Sequence, residues 1–163
     1  MIRMDDDSVE DYIYEAREEL KRVEHIIFVS LKYTRTTDVI RNAVLRLVSF
    51  FDMISEAYMI DSMDKELIDK VPRSPPLRMS KIAELYPDDK ELQQYIKFYF
   101  FLKGVLKQEY EKINEYRRHV GMKFDFGTSS TIINIDSLET CKYFSFDFYN
   151  FSNKFFGLAK EED

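Results

Sequence analysis

The side chains best suited to chemistry are few, and their spacing does not suit it. The chain holds two histidines, His25 and His119, and one cysteine, Cys141. A di-iron site inside a helical bundle needs Glu-x-x-His pairs, yet the residues three before the histidines are Arg22 and Tyr116. The sequence contains no His-Glu-x-x-His zinc signature, no phosphate-binding glycine loop, no Gly-x-Gly-x-x-Gly turn and no Gly-x-Ser-x-Gly elbow. One cysteine excludes an intramolecular disulfide and a cysteine zinc cluster, and Cys141 is expected as a small core residue. His25 lies beside an apolar stripe and is expected to be partly exposed and structural. Carboxylates at helical spacing near the N-terminus could hold a divalent cation, but a solvated helix face accounts for them without one. The expectation is therefore no catalytic residue, no metal and no cofactor.

Cations and tyrosines form a more informative set. Lys32, Tyr33 and Arg35 close the first predicted helix, and Tyr116, Arg117, Arg118 and His119 close the third. If three successive long helices run up, down and up, the C-terminal ends of the first and third share one end of the molecule. An acidic chain, with formal net charge −6, would then carry one basic, tyrosine-containing end. Arginine's planar fork matches phosphate and carboxylate, and tyrosines stack on bases. Such an end suits an acidic partner surface, a nucleotide phosphate or RNA. A second reading needs no ligand, since cations near helix C-termini favour the helix dipole.

These residues need long helices to position them. The 163 residues suit one domain, and 45% hydrophobic content supports a core. Glycine and proline number four each, too few for the turns of a sheet protein. The fold class expected is all-α, an antiparallel bundle of four main helices over 9–33, 38–61, 89–118 and 137–156. Short helices are expected in the 62–87 crossing, around Pro72, Pro75 and Pro76. Val9, Ile13, Ala16, Leu20, Val23 and Ile27 make the first apolar stripe. Ile40, Ala43, Val44, Leu47, Phe50, Phe51, Ile54, Ala57 and Tyr58 make the second. Ser8, Asp88 with Glu91, and Asp136 with Glu139 are start signals, while Gly121 and Gly157 are stop signals. Gly104 is a weak point where another helix could approach closely. Residues 131–135 read as a short strand without a partner strand. The unit is a single domain, 1–163, with tails at 1–7 and 158–163. The start of the chain has no secretory pattern and no run reaches the ~20 apolar residues of a membrane span, so a cytoplasmic protein without membrane attachment is expected.

The last helix carries two aromatic faces. Leu138, Cys141, Phe144, Phe148, Phe151 and Phe155 form one stripe, and Tyr143, Phe146, Tyr149 and Phe156 lie largely off it. If the second face is free, it is the interface of a two-fold homodimer. If the 123–135 connector folds over it, with Phe124 and Phe126, it is core.

Several stretches resemble the HEPN superfamily of small helical bundles, and more closely an archaeal branch of it. They are Ala16-Arg17-Glu18-Glu19-Leu20-Lys21-Arg22, Val29-Ser30-Leu31-Lys32-Tyr33-Thr34-Arg35-Thr36, Glu109-Tyr110-Glu111-Lys112 and Glu115-Tyr116-Arg117-Arg118. The resemblance implies a bundle that often dimerises and associates with a small nucleotidyltransferase or with RNA-directed toxin systems. Ribonuclease members carry an arginine and a histidine separated by four to six residues. Here Arg17 and His25 have seven residues between them, Arg22 and His25 two, and Arg117 and His119 one. No catalytic residue carries over. The function expected is a non-catalytic binding or assembly module, the partner of a nucleotidyltransferase or of a toxin–antitoxin-like system. The alternative is an RNA-binding or RNA-cleaving protein that uses the basic end.

Overall fold

The protein is described by a computed structural model over residues 7–158. The expected tails at 1–7 and 158–163 lie outside the described residues apart from Asp7 and Leu158. The molecule is mostly helical. The all-α class is corrected by a small antiparallel sheet that caps one end.

The first helical run divides into α1 (Val9–His25), a π-helical turn (Ile26–Ser30) and α2 (Leu31–Tyr33). Ser8 caps α1 through a reciprocal capping box with Asp11. The wide turn absorbs one extra residue. Ile26, Ile27 and Leu31 consequently stay buried while Phe28 and Val29 turn outward. After Thr36, whose side chain accepts from the Val39 amide, α3 runs over Thr37–Asp64. Every residue of its expected stripe is buried.

The crossing holds a short helix as expected, but in one piece rather than several. No helix forms over 65–71; instead α4 (Pro75–Leu85) begins on the two prolines themselves. Proline at the first helical positions loses no hydrogen bond, because those amides have no intrahelical acceptor. Asp89, not Asp88, then caps α5 (Lys90–Lys107).

The largest correction concerns α5, which ends eleven residues before the expected 118. Beyond it the chain forms β1 (Glu111–Ile113), β2 (Gly121–Asp125) and β3 (Ser130–Ile133), in the order β1-β2-β3. Ile113 faces Gly121, and Met122 faces Ile133. The expected strand near 131–135 therefore has a partner, supplied by residues read as connector. Gly121 is not a helix stop. A Cβ there would lie 2.9 Å from Ile132 Cγ2 and 3.2 Å from the Ile133 carbonyl, so glycine permits the close strand approach. Asn134, rather than Asp136, caps α6 (Ile135–Phe155), and Gly157, at φ +74°, closes it.

α1 and α6 both pack against α3, α6 also packs against α1, and α5 packs on α3 and α6. Phe148 sits at the centre, with ring centroids 4.7 Å from Tyr95, 5.2 Å from Phe51 and 6.2 Å from Tyr58. Burying a ring of this size contributes about 1.5–3 kcal/mol relative to exposure. Polar pins cross the same core. Tyr58 Oη and Ser152 Oγ lie 3.1 Å apart, Tyr99 Oη donates to Asp52 at 2.9 Å, and Arg78 pairs with buried Glu56 at 2.9 Å.

Candidate functional site at the basic end

The basic end forms, although not by the route expected. Lys32, Tyr33 and Arg35 lie at and just past the end of the first helical run, as foreseen. Tyr116, Arg117, Arg118 and His119 do not end a helix; they lie in the connection between β1 and β2. Backbone bonds shape that connection tightly. The Arg117 amide donates to the Asn114 carbonyl, the Val120 amide donates to the Arg117 carbonyl, and the Asn114 side-chain amide donates to the His119 carbonyl. Asn114 and Tyr116 take left-handed conformations, φ 53° and 67°. Such conformations are uncommon for a residue with a side chain and concentrate at functional sites.

Two contacts fasten the connection to the start of α3. The Tyr116 amide donates to the Arg35 carbonyl at 2.6 Å. Glu115 Oε1 accepts from the Thr37 amide at 3.1 Å and from the Thr37 hydroxyl at 2.7 Å. The carboxylate thus satisfies an N-terminal amide of α3, which has no intrahelical acceptor. Segments nearly eighty residues apart are held together by this pair.

Between them lies a cleft of about 330 Å³. Lys32 and Arg35 line one side and Arg118 and His119 another, while the N-cap and start of α6 supply Asn134, Asp136 and Glu139. Ile27, Phe28 and Leu31 make an apolar floor. Among the described residues, no ion pair engages Lys32, Arg35, Arg118 or His119. Tyr33 and Tyr116 stand at the rim, 85% and 79% exposed. Arg117 is exposed beside them but does not line the cleft.

Sequence reasoning missed the α6 contribution. Asp136 and Glu139 read only as a capping signal, yet a fourth helix running down starts at the end where the third, running up, finishes. It also missed Lys142, whose ammonium lies 5.0 Å from the Phe28 ring centroid and 4.3 Å from that of Tyr143. No sequence signal pairs Lys142 with Phe28, because the contact depends on the π turn and on α6 packing beside it.

Two other expectations are corrected. Phe146 and Tyr149 are each 7% exposed and cannot form a free face. The Arg17 guanidinium of α1 lies 5.3 Å from the Phe146 ring centroid, so α1, not the 123–135 connector, covers that side. Phe156 packs on Tyr58 at 4.7 Å, which leaves Tyr143 as the exposed member of the four. The connector buries Phe124 beneath its own hairpin against Tyr110. Cys141 is half-buried rather than core, and burial pushes its thiol up to about 11.

The described residues contain no group of three or more His, Cys, Asp and Glu side chains placed to hold a metal ion. Among them, no helix is long and apolar enough to cross a membrane. No family model, no curated protein and no solved structure matches this chain.

Proposed function

We propose that this protein is a HEPN-like binding module whose basic end holds single-stranded RNA. The observation that supports this reading is the mixed lining of the cleft. A simple anion site would not place Asp136 and Glu139 opposite Lys32, Arg35 and Arg118. A nucleotide has both kinds of group to offer. Its phosphate suits the cations, and its exocyclic amino groups suit carboxylate acceptors. The exposed rings of Tyr33 and Tyr116 suit bases that stack without sequence preference. Cleavage is not part of the proposal, because the arginine–histidine spacing of the ribonuclease members is absent from the sequence.

Fluorescence anisotropy with a short single-stranded oligoribonucleotide tests it. Wild-type binding should weaken with added salt as phosphate contacts release counterions. Arg35→Ala with Arg118→Ala should reduce the salt slope by about 2 and weaken binding at least tenfold. Tyr33→Ala with Tyr116→Ala should cost about 1–3 kcal/mol per stacked base and leave the slope unchanged. Wild-type affinity in the arginine double variant would overturn the reading.

The second reading is a protein partner, such as the nucleotidyltransferase that the resemblance implies. What favours it is the exposure of Phe28 and Val29, 48% and 39%, beside the same cations. Apolar surface rimmed by charge is the anatomy of a protein interface. Binding to an acidic protein that survives in the tyrosine double variant, without any RNA affinity, would select this reading.

A further inference from the structure

Lys142 of α6 is a cation whose surroundings supply no anion. It is 8% exposed, and lysine is almost never so buried unless it is paired. Among the described residues, no ion pair or hydrogen bond engages its ammonium. Glu139 stands three residues earlier on the helix, at a spacing that allows a pair, and forms none with it. Two rings hold the ammonium instead, Phe28 at 5.0 Å and Tyr143 at 4.3 Å. Rings attract a cation, yet they are poor partners for its three N–H donors. The ammonium is not sealed from solvent. Both rings are exposed, 48% for Phe28 and 57% for Tyr143.

This group adjoins the cleft without belonging to it. Phe28 is part of the cleft floor and Glu139 part of its lining, whereas Lys142 and Tyr143 line no part of it. They follow Glu139 by three and four residues. They therefore stand one helical turn farther along the same face of α6, about 5.4 Å on.

We infer that Lys142 is the seat of a second phosphate. It takes the phosphodiester next to the nucleotide held in the cleft, with Phe28 and Tyr143 as the surface on which the adjoining base stacks. The inference rests on the RNA reading of the cleft and extends it from one nucleotide to a path along α6. Cations and rings are interleaved here as at the rim, where Tyr33 stands between Lys32 and Arg35 in the chain. That interleaving is how proteins hold a single strand without reading its sequence. An acidic protein surface would use the cation alone, whereas exposed rings on both sides of it suit bases.

Fluorescence anisotropy of the full chain with labelled hexa-adenylate, beside titration with adenosine monophosphate, tests this inference. Lys142→Gln should weaken hexa-adenylate binding about tenfold and lower its salt slope by about 1. Adenosine monophosphate, which occupies the cleft alone, should keep its wild-type affinity. Lys142→Met keeps the buried stem, removes the charge and should match the glutamine variant, while Lys142→Arg should restore the slope. If Arg35→Ala with Arg118→Ala weakens hexa-adenylate but both uncharged Lys142 variants bind it as wild type does, the inference is overturned and the cleft reading stands. Equal losses for the two probes also overturn it, because Lys142 would then serve the cleft itself. A wild type that binds neither probe overturns both readings. Lys142-dependent binding of a hexaglutamate peptide without RNA affinity overturns both in favour of an acidic protein surface.

Discussion

Asp52 lies where α3 faces α5, largely withdrawn from water, and accepts the Tyr99 hydrogen bond. Burial raises its pKa above the ordinary aspartate value, with the Tyr99 hydrogen bond and then the charges of Lys103 and Arg78 opposing the rise. The folded chain therefore holds this proton more tightly than the unfolded chain, whose aspartates titrate near about 3.9. Asp52 is thus a source of stability loss as pH rises from that value through its raised folded pKa. Asparagine keeps an acceptor oxygen for Tyr99 and removes the buried charge. Asp52→Asn should be at least as stable as wild type at neutral pH, with a flatter pH dependence of the urea midpoint above about 3.9. A wild-type pH slope in the variant would assign the effect to other groups. The sequence shows a stripe that includes Phe51 and leaves Asp52 beside it; that Asp52 meets a tyrosine forty-seven positions away depends on how α3 and α5 cross.

At the scale of elements, the β1–β2 connection holds the basic cleft in shape. Glu115 is its fastener, since one carboxylate oxygen accepts two hydrogen bonds from Thr37. Removing an N-terminal helix cap typically costs about 0.5–2 kcal/mol. Glu115→Ala should lose about 1 kcal/mol in chemical denaturation and should raise amide exchange over 114–120 more than over α6. Uniform exchange would show that the connection is held by other contacts. The helices α1, α3 and α6 are legible in sequence because each buries a stripe at the 3.6-residue period. The sheet is not legible. β1 is three residues long and mostly exposed, so it carries no alternation to read. Tyr110, Ile113 and Tyr116 continue the apolar spacing of α5 and disguise its end.

Across the whole molecule, two surfaces stand apart. The cleft draws on the π turn, the β1–β2 connection and the start of α6. A separate apolar groove, lined by Lys97, Phe98, Phe101, Cys141 and Phe144, draws on the middle of α5 and a different face of α6. No residue lines both. Phe101→Glu, in the groove and outside the cleft, should therefore bind the oligoribonucleotide with wild-type affinity. A large loss in that variant would mean that the RNA site extends beyond the cleft. The net charge of −6 makes the location of cations decisive, because the surface as a whole repels nucleic acid and only a local cluster can attract it.

Sequence alone determined the helical character, most of the buried stripe residues and the caps at Ser8 and Gly157. Each of these follows from local periodicity or from the backbone preference of one residue. It also placed Lys32, Tyr33 and Arg35 near residues 116–119, although through a helix end that the structure replaces with the β1–β2 connection. Only the tertiary structure decided that α6 is covered on two sides, so that Phe146 and Tyr149 are core. An aromatic stripe reads the same whether a neighbouring helix or a second molecule covers it.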